Sequence, residues 1–332
     1  MTARRRAVTA GLLVAALSLL TALSLLTALA PAGAVWGLGA AGGLPRARGA
    51  AEGSPPARTA AQGSPPARSA SKGTVQVLYA GSLVDYMENG LGPAFQRASG
   101  YAFSGFGGGS TELANEIRGG VRQGDVFISA AAAADNSLEG AAGGKWVSWY
   151  STFAATPLML GYNPDSTFGK QLAHGTPWYK VITEPGILVG RTDPKLDPKG
   201  VLTVEAVAKA AHKLHEPQLT SALNSFPVYP ETALVGRLQS GQLDAGFFYE
   251  VETSAAHFPA VALTPAYKYA LYTVTILSHA PDPAGAAAFV RYLLGSARTN
   301  TLKRNGLAPV KPRFYGSRAA VPHGLRRLLG AG

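Results

Sequence analysis

The chain has 332 residues, 47% hydrophobic and 15% charged, with no cysteine and a formal charge of +11. That length allows two lobes, and the missing cysteine excludes disulfides, Cys-ligated zinc, thiol catalysis and a lipidated Cys anchor. The charge excess is concentrated at one end. Residues 1–73 hold eight basic residues against Glu52 alone, which leaves 22 basic and 18 acidic residues for the remainder, an ordinary balance with no basic run interleaved with aromatics.

Residues 4–6 are three arginines, and residues 11–30 form an uncharged apolar stretch with a tandem LSLLTA. A positive n-region followed by an apolar h-region is an export signal, and Ala32-Gly33-Ala34 offers small residues for cleavage. The apolar run is also long enough to remain as a membrane anchor. On either reading, residues 1–43 send the body out of the cytoplasm, to the periplasm or the outer face of the cytoplasmic membrane. Residues 44–73 contain GSPPAR twice and no apolar face to bury, which predicts a disordered or polyproline-like tether.

The body begins near Thr74. Residues 74–80 read as a largely buried strand, followed by a helix over 84–98 that Pro93 interrupts. A strand over 101–106, a helix from Ser110 to Arg118 and strands over 125–130 and 153–162 follow. The next part predicts a helix over 178–183, a strand over 186–190, a turn-rich loop over 191–200 and helices over 201–214 and 232–240. Strands over 243–249 and 260–263 come next. The chain returns through a strand over 269–277 to helices over 283–294 and 297–305, and the basic tail after Pro312 reads as loosely held. Alternating strands and helices predict an α/β fold of parallel sheets with helices on both faces. Lobe 1 would be 74–156 plus 266–332 and lobe 2 would be 157–265, with a hinged cleft at the carboxyl ends of the strands.

Two strand–turn–helix units in series place Ser82 and Ser110 at successive helix starts, where free N–H groups favour an anion. Both serines also fit as N-caps, a role compatible with ligand contact. Tyr249 ends a strand, where it serves either a ligand or packing. Asp193 and Asp197 each precede a proline, the usual setting of a turn. Glu250 and Glu252 read as solvated, and the aromatics Trp146, Trp149, Tyr150 and Phe153 as packing. The six histidines are scattered and do not form a metal set.

AGSL at 80–83, GGSTELANEIRGG at 108–120, GDVFISA at 124–130, GRTDPKLDPKG at 190–200, LDAGFFYEVE at 243–252 and the closing YALYTV, FVRYLL and LKRNG stretches carry a resemblance. Taken in this order, they resemble extracellular molybdate/tungstate-binding proteins of ABC transporters, over about 74–312. The resemblance implies the two-lobed type II periplasmic-binding fold and capture of a tetrahedral oxyanion between the lobes, without a cofactor. It implies ligand contacts from Ser82, Ser110 and Tyr249 and from backbone N–H groups near Lys199 and Glu231. In the archaeal tungstate branch carboxylates reach the metal, and Asp193, Asp197, Glu250 and Glu252 stand in the matching regions. Phe248 falls where that branch has its Glu, which favours hydrogen-bond-only capture. Arg191 is a further candidate.

The implied function is a solute receptor that hands an oxyanion to an ABC permease and ATPase, with no chemistry of its own. Alternatives are a receptor for sulfate, phosphate or a small organic anion, and a membrane-anchored sensor. A secreted hydrolase would need a G-x-S-x-G elbow, but Glu112 stands where its second Gly belongs after Ser110.

Overall fold

The computed structural model describes residues 71–295 and 298–331. The predicted export segment and residues 44–70 of the predicted tether lie outside them. The strands are β1 (Thr74–Ala80), β2 (Ala102–Gly108), β3 (Val126–Ser129), β4 (Trp149–Tyr162), β5 (Val189–Thr192), β6 (Val228–Tyr229), β7 (Ala245–Tyr249), β8 (Ala260–Ala262), β9 (Tyr269–Ile276), β10 (Ala308–Pro309) and β11 (Phe314–Gly316). They form one path in the order β2-β1-β3-β9-β4-β7-β5-β6, with β8, β10 and β11 also paired to β4.

The sheet is mixed, which corrects the expectation of parallel sheets. β1 runs parallel to β2 and β3, and β5 runs parallel to β6 and β7. The strands between these two groups are antiparallel, because β4 carries the chain across and β9 carries it back. β4 is 14 residues long. Its first part pairs with β9 through Pro157, and its last five residues pair with β7 from Leu158 onward. Its bulge between Thr152 and Ala154 bends the strand within its pairing to β9, before it reaches β7.

Helices cover the sheet with faces set by their periodicity. Ser110–Arg118 buries Ser110, Leu113, Ala114 and Ile117, and Pro283–Leu293 buries Ala286, Phe289, Val290 and Leu293. The helix expected over 84–98 is instead a 3-10 turn at Gly81–Leu83, a π-helical stretch at Tyr86–Leu91 and an α-helix at Gly92–Ser99. The restart falls at Pro93, which cannot donate the backbone bond that a continuous helix needs there.

The tail is docked, contrary to the expectation of a loose end. β11 pairs with β4, Ser151 Oγ donates to the Leu329 carbonyl at 3.0 Å, and Val321, Leu325 and Leu329 are buried in the main core. The tail's charges hid this, because its apolar residues follow no regular period. Leu325→Ala should therefore cost about 3 kcal/mol of stability. Urea unfolding would measure it, and a loss under about 0.5 kcal/mol, the size of an ordinary surface change, would mean that the tail contributes nothing.

Candidate functional site

β1 ends in the tight turn Gly81–Leu83. Its N–H groups point at a carboxylate from the other half of the chain. Gly81 N donates to Glu231 Oε2 at 2.8 Å and Ser82 N donates to Glu231 Oε1 at 3.0 Å. Glu231 is the first residue of the helix Glu231–Gln239. A Cβ at position 81 would lie 2.6 Å from Glu231 Oε2, so the approach requires glycine there. Ser82 Oγ is 2.8 Å from Tyr272 Oη on β9.

Lys199 is the centre of the charge. It lies on the buried face of the helix Pro198–Leu214, one turn before Thr203, and its side chain is wholly inaccessible. Its Nζ is 2.7 Å from Glu252 Oε1 and 3.6 Å from Glu231 Oε1. Asp197 is the N-cap of that helix and accepts from Lys199 N at 3.0 Å. Glu252 lies in the first turn after β7 and accepts from Tyr249 N at 2.8 Å. The Tyr249 ring is 5.6 Å from Lys199 Nζ, and its hydroxyl is buried without a hydrogen-bond partner.

The electrostatics follow from one buried cation among three buried acids. Burial pushes the Glu231, Asp197 and Glu252 carboxyls up, and the Lys199 charge opposes that rise. Burial alone would lower Lys199, but Glu252, Glu231 and Asp197 hold it protonated above the usual lysine range. Burial and the surrounding carboxylates raise both tyrosine hydroxyls, so Tyr249 and Tyr272 remain neutral donors. Among the described residues no group of three or more His, Cys, Asp or Glu is placed to hold a metal ion.

Glu231 lines two cavities. One of about 410 Å³ is bounded also by Ser82, Asp85, Thr232 and Glu252. The other, about 180 Å³, is bounded also by Glu112, Thr192, Asp193 and Asp197.

The fold thus brings together Ser82, Asp197, Lys199, Glu231 and Tyr249 from the residues singled out in the sequence. It leaves Ser110 and Glu250 apart from them, while Asp193 borders the smaller cavity beside Asp197 and Glu231. Ser110 is buried, with its Oγ accepting from Ala130 N at 3.0 Å. Asp193 accepts from Lys195 N at 2.9 Å, closing its turn. Glu250 is exposed on the surface. Arg191 donates Nε to the Leu223 carbonyl at 3.2 Å.

Some roles differ from the expectation. Neither serine caps through its side chain; Ala80 and Gly109 flank the two starts. Lys199 and Glu231 also join the cluster through their side chains, and Lys199 N is bonded to Asp197. Glu252 is buried rather than solvated. Its position three residues after the strand-ending Tyr249 is the signature of an acid that turns back on the N-cap backbone. Tyr272 escaped notice, although it alternates with Ala270 and Val274 on the buried side of β9.

Residues 75–308 match the family model described as bacterial extracellular solute-binding protein. The chain belongs to this family. Its members are extracytoplasmic receptors for solutes, not a class of enzymes. A Haloferax volcanii protein provisionally assigned as an ABC transporter molybdenum-binding protein is 32% identical over 250 residues, covering 73% of this chain and 76% of its own length. Among solved structures, the periplasmic molybdate-binding protein of Azotobacter vinelandii matches with a TM-score of 0.58 at 20% identity, over 72% of this chain and 100% of that one. The sulfate-binding protein of Mycobacterium tuberculosis matches at 0.55 and 16% identity, over 77% and 91%. Both likenesses establish the two-lobed periplasmic-binding fold of this solute-binding protein.

Proposed function

We propose that this solute-binding protein captures a tetrahedral oxyanion of the molybdate/tungstate class for an ABC importer. One observation carries the reading: the Gly81 and Ser82 N–H groups already hold both oxygens of the Glu231 carboxyl group, at 2.8 and 3.0 Å. A pair of converging N–H donors that accepts a carboxylate also accepts an oxyanion edge. The Ser82 hydroxyl, the unpartnered Tyr249 hydroxyl and the Lys199 ammonium lie around the same place. All are donors, which a ligand made only of acceptor oxygens needs.

In this reading 74–156 with 266–332 and 157–265 are the two lobes, and they close about β4 and β9. Residues 1–43 export the chain, residues 44–73 tether it, and a permease and an ATPase receive the solute. The name of the Haloferax volcanii relative and the likeness to the Azotobacter vinelandii protein support molybdate. Sulfate is the second reading, favoured by the likeness to the Mycobacterium tuberculosis protein.

A thermal-shift series with molybdate, tungstate, sulfate, phosphate and chromate tests both readings. A ligand at one hundred times its Kd should stabilise the fold by about 2.7 kcal/mol. Molybdate and tungstate should raise Tm. A response to sulfate or phosphate alone would replace the first reading with the second, and silence from all five would remove both.

A further inference from the structure

We infer that the carboxyl-terminal part of the body, built from the helices Pro283–Leu293 and Arg298–Arg304 and the tail after them, is a docking surface for an anionic phospholipid bilayer. The inference does not depend on which solute is captured. Residues 283–332 carry nine lysines and arginines and no acid, which leaves 13 basic and 18 acidic residues in 74–282. The positive excess of the body therefore lies wholly in this last segment. Arg291, Lys303, Arg304, Lys311, Arg318 and Arg327 are exposed. Among the described residues the ion pairs join Arg122 to Glu116, Lys199 to Glu231 and Glu252, and Lys268 to Glu205. None of the six exposed cations is neutralised by an acid of this chain.

Packing holds these charges in place. Val321, Leu325 and Leu329 fix the tail in the main core, and Arg291 lies against Gly324 of the tail. Arg291 and Arg304 line one cavity of about 580 Å³ together with Ala94, Ser99 and Tyr292, and no acid stands among the described residues around it. Tyr292 is 37% exposed, and Tyr315 of β11 is 42% exposed. Arginine beside a half-exposed tyrosine suits a lipid interface, where the guanidinium meets phosphate and the ring lies at headgroup level.

The first described residues join the body beside the same cavity. Lys72 N donates to the Gly100 carbonyl at 3.0 Å, directly after the helix Gly92–Ser99, whose Ala98 and Ser99 line that cavity. Residues 1–70, read above as an export or anchor segment and its tether, therefore lead to the basic surface. That junction favours a bilayer over a freely diffusing polyanion. Each cation close to an anionic bilayer strengthens binding about fivefold, and the attraction fades within a Debye length.

The chain has no cysteine, so one introduced thiol takes one fluorescent label. Full-length protein is labelled through Ala319→Cys, in the exposed turn Arg318–Ala320, or through Ala208→Cys, at an exposed position of the helix Pro198–Leu214. Each is mixed with vesicles that carry a headgroup quencher. On phosphatidylglycerol vesicles the label at Ala319→Cys should be quenched and the label at Ala208→Cys should not, whether or not the apolar segment also inserts. Phosphatidylcholine vesicles should leave both labels bright, and salt at about 1 M, which cuts the Debye length to about 3 Å, should release the first label. Adding Arg291→Gln, Arg304→Gln and Arg327→Gln should lower the ratio of docked to free body by about fivefold per charge, roughly a hundredfold together, with urea unfolding to establish that the fold survives. Equal quenching of the two labels, equal quenching on the two lipids, or indifference to the three substitutions would overturn the inference. Silence of the label at Ala319→Cys on the anionic lipid would overturn it as well, and the surface would then fit an acidic protein instead.

Discussion

At pH 7, Lys199→Met is expected to destabilise the protein by about 3–5 kcal/mol, the usual cost of removing one partner from a buried ion pair. The reason is the imbalance around it. Glu252, Glu231 and Asp197 are all buried, burial raises all three, and Lys199 is the cation that opposes the rise. Methionine fills the space but leaves three acids with no countercharge. Each folded-state carboxyl is already raised above its unfolded value, so its ionisation works against folding. Such a group favours the fold below its unfolded pKa and loses that contribution as pH rises through the folded one. Without Lys199 the carboxyls rise further, and the variant should recover toward the parent as pH falls from 7 to about 4, the range in which exposed carboxyls titrate. The raised pKa of Lys199 itself preserves its contribution throughout that window and loses it only above the usual lysine range. Urea unfolding at several pH values reads all of this. A Lys199→Met gap under about 1 kcal/mol at pH 7, the worth of a surface pair, would contradict the account, as would a gap that does not narrow with acid. Adding Glu252→Gln to Lys199→Met should restore part of the loss, because it removes the acid 2.7 Å from the missing cation.

The second large effect lies away from the Lys199 cluster. Asp135 is fully buried in the short helix Ala132–Asn136; its Oδ2 accepts from Thr273 Oγ1 at 2.6 Å and its Oδ1 has no partner. Burial pushes its carboxyl up to about 8, from 3.8, with Glu139 adding to the rise. The folded state therefore holds a proton that the unfolded state releases, and stability falls as pH climbs from about 4 to about 8. A shift of this size is worth on the order of 5 kcal/mol across the window. Asp135→Asn keeps an acceptor for Thr273 and cannot ionise. It should match the parent near pH 4 and exceed it by several kcal/mol near pH 8. Since other buried acids also titrate, the quantity to compare is the parent-minus-variant difference at each pH. A difference that stays flat from pH 4 to pH 8 would show that Asp135 is not the protonated group.

Local pattern was enough to read much of this protein. The alternation in Thr74–Ala80, the helix Ser110–Arg118 and the helix Pro283–Leu293 stand where period and Pro or Gly punctuation place them. The order of motifs from AGSL to LKRNG pointed to a two-lobed solute receptor, and residues 75–308 match the extracellular solute-binding family. Tyr249 and Ser82 could be singled out because strand ends and the turns after them are where an α/β fold places ligands.

Other features depended on the three-dimensional neighbourhood. The antiparallel crossing of β4 and β9 follows from where the chain leaves one half and re-enters it, which strand periodicity does not encode. Glu112 N donating to the Leu196 carbonyl at 2.9 Å is another such meeting of distant segments. The sequence alone determined most classes of element and singled out Ser82, Asp197, Lys199, Glu231 and Tyr249 as candidates. Tertiary structure decided their roles. It buried Lys199 and Glu252 together, left Glu250 in solvent two residues away, and laid the Glu231 carboxylate on the Gly81 and Ser82 N–H groups. The physical reason is that a charged side chain's burial and partners depend on residues 50 to 150 positions away, as the Lys199–Glu252 and Gly81–Glu231 separations of 53 and 150 record. Hydrophobic period reports only which face of its own helix or strand turns inward.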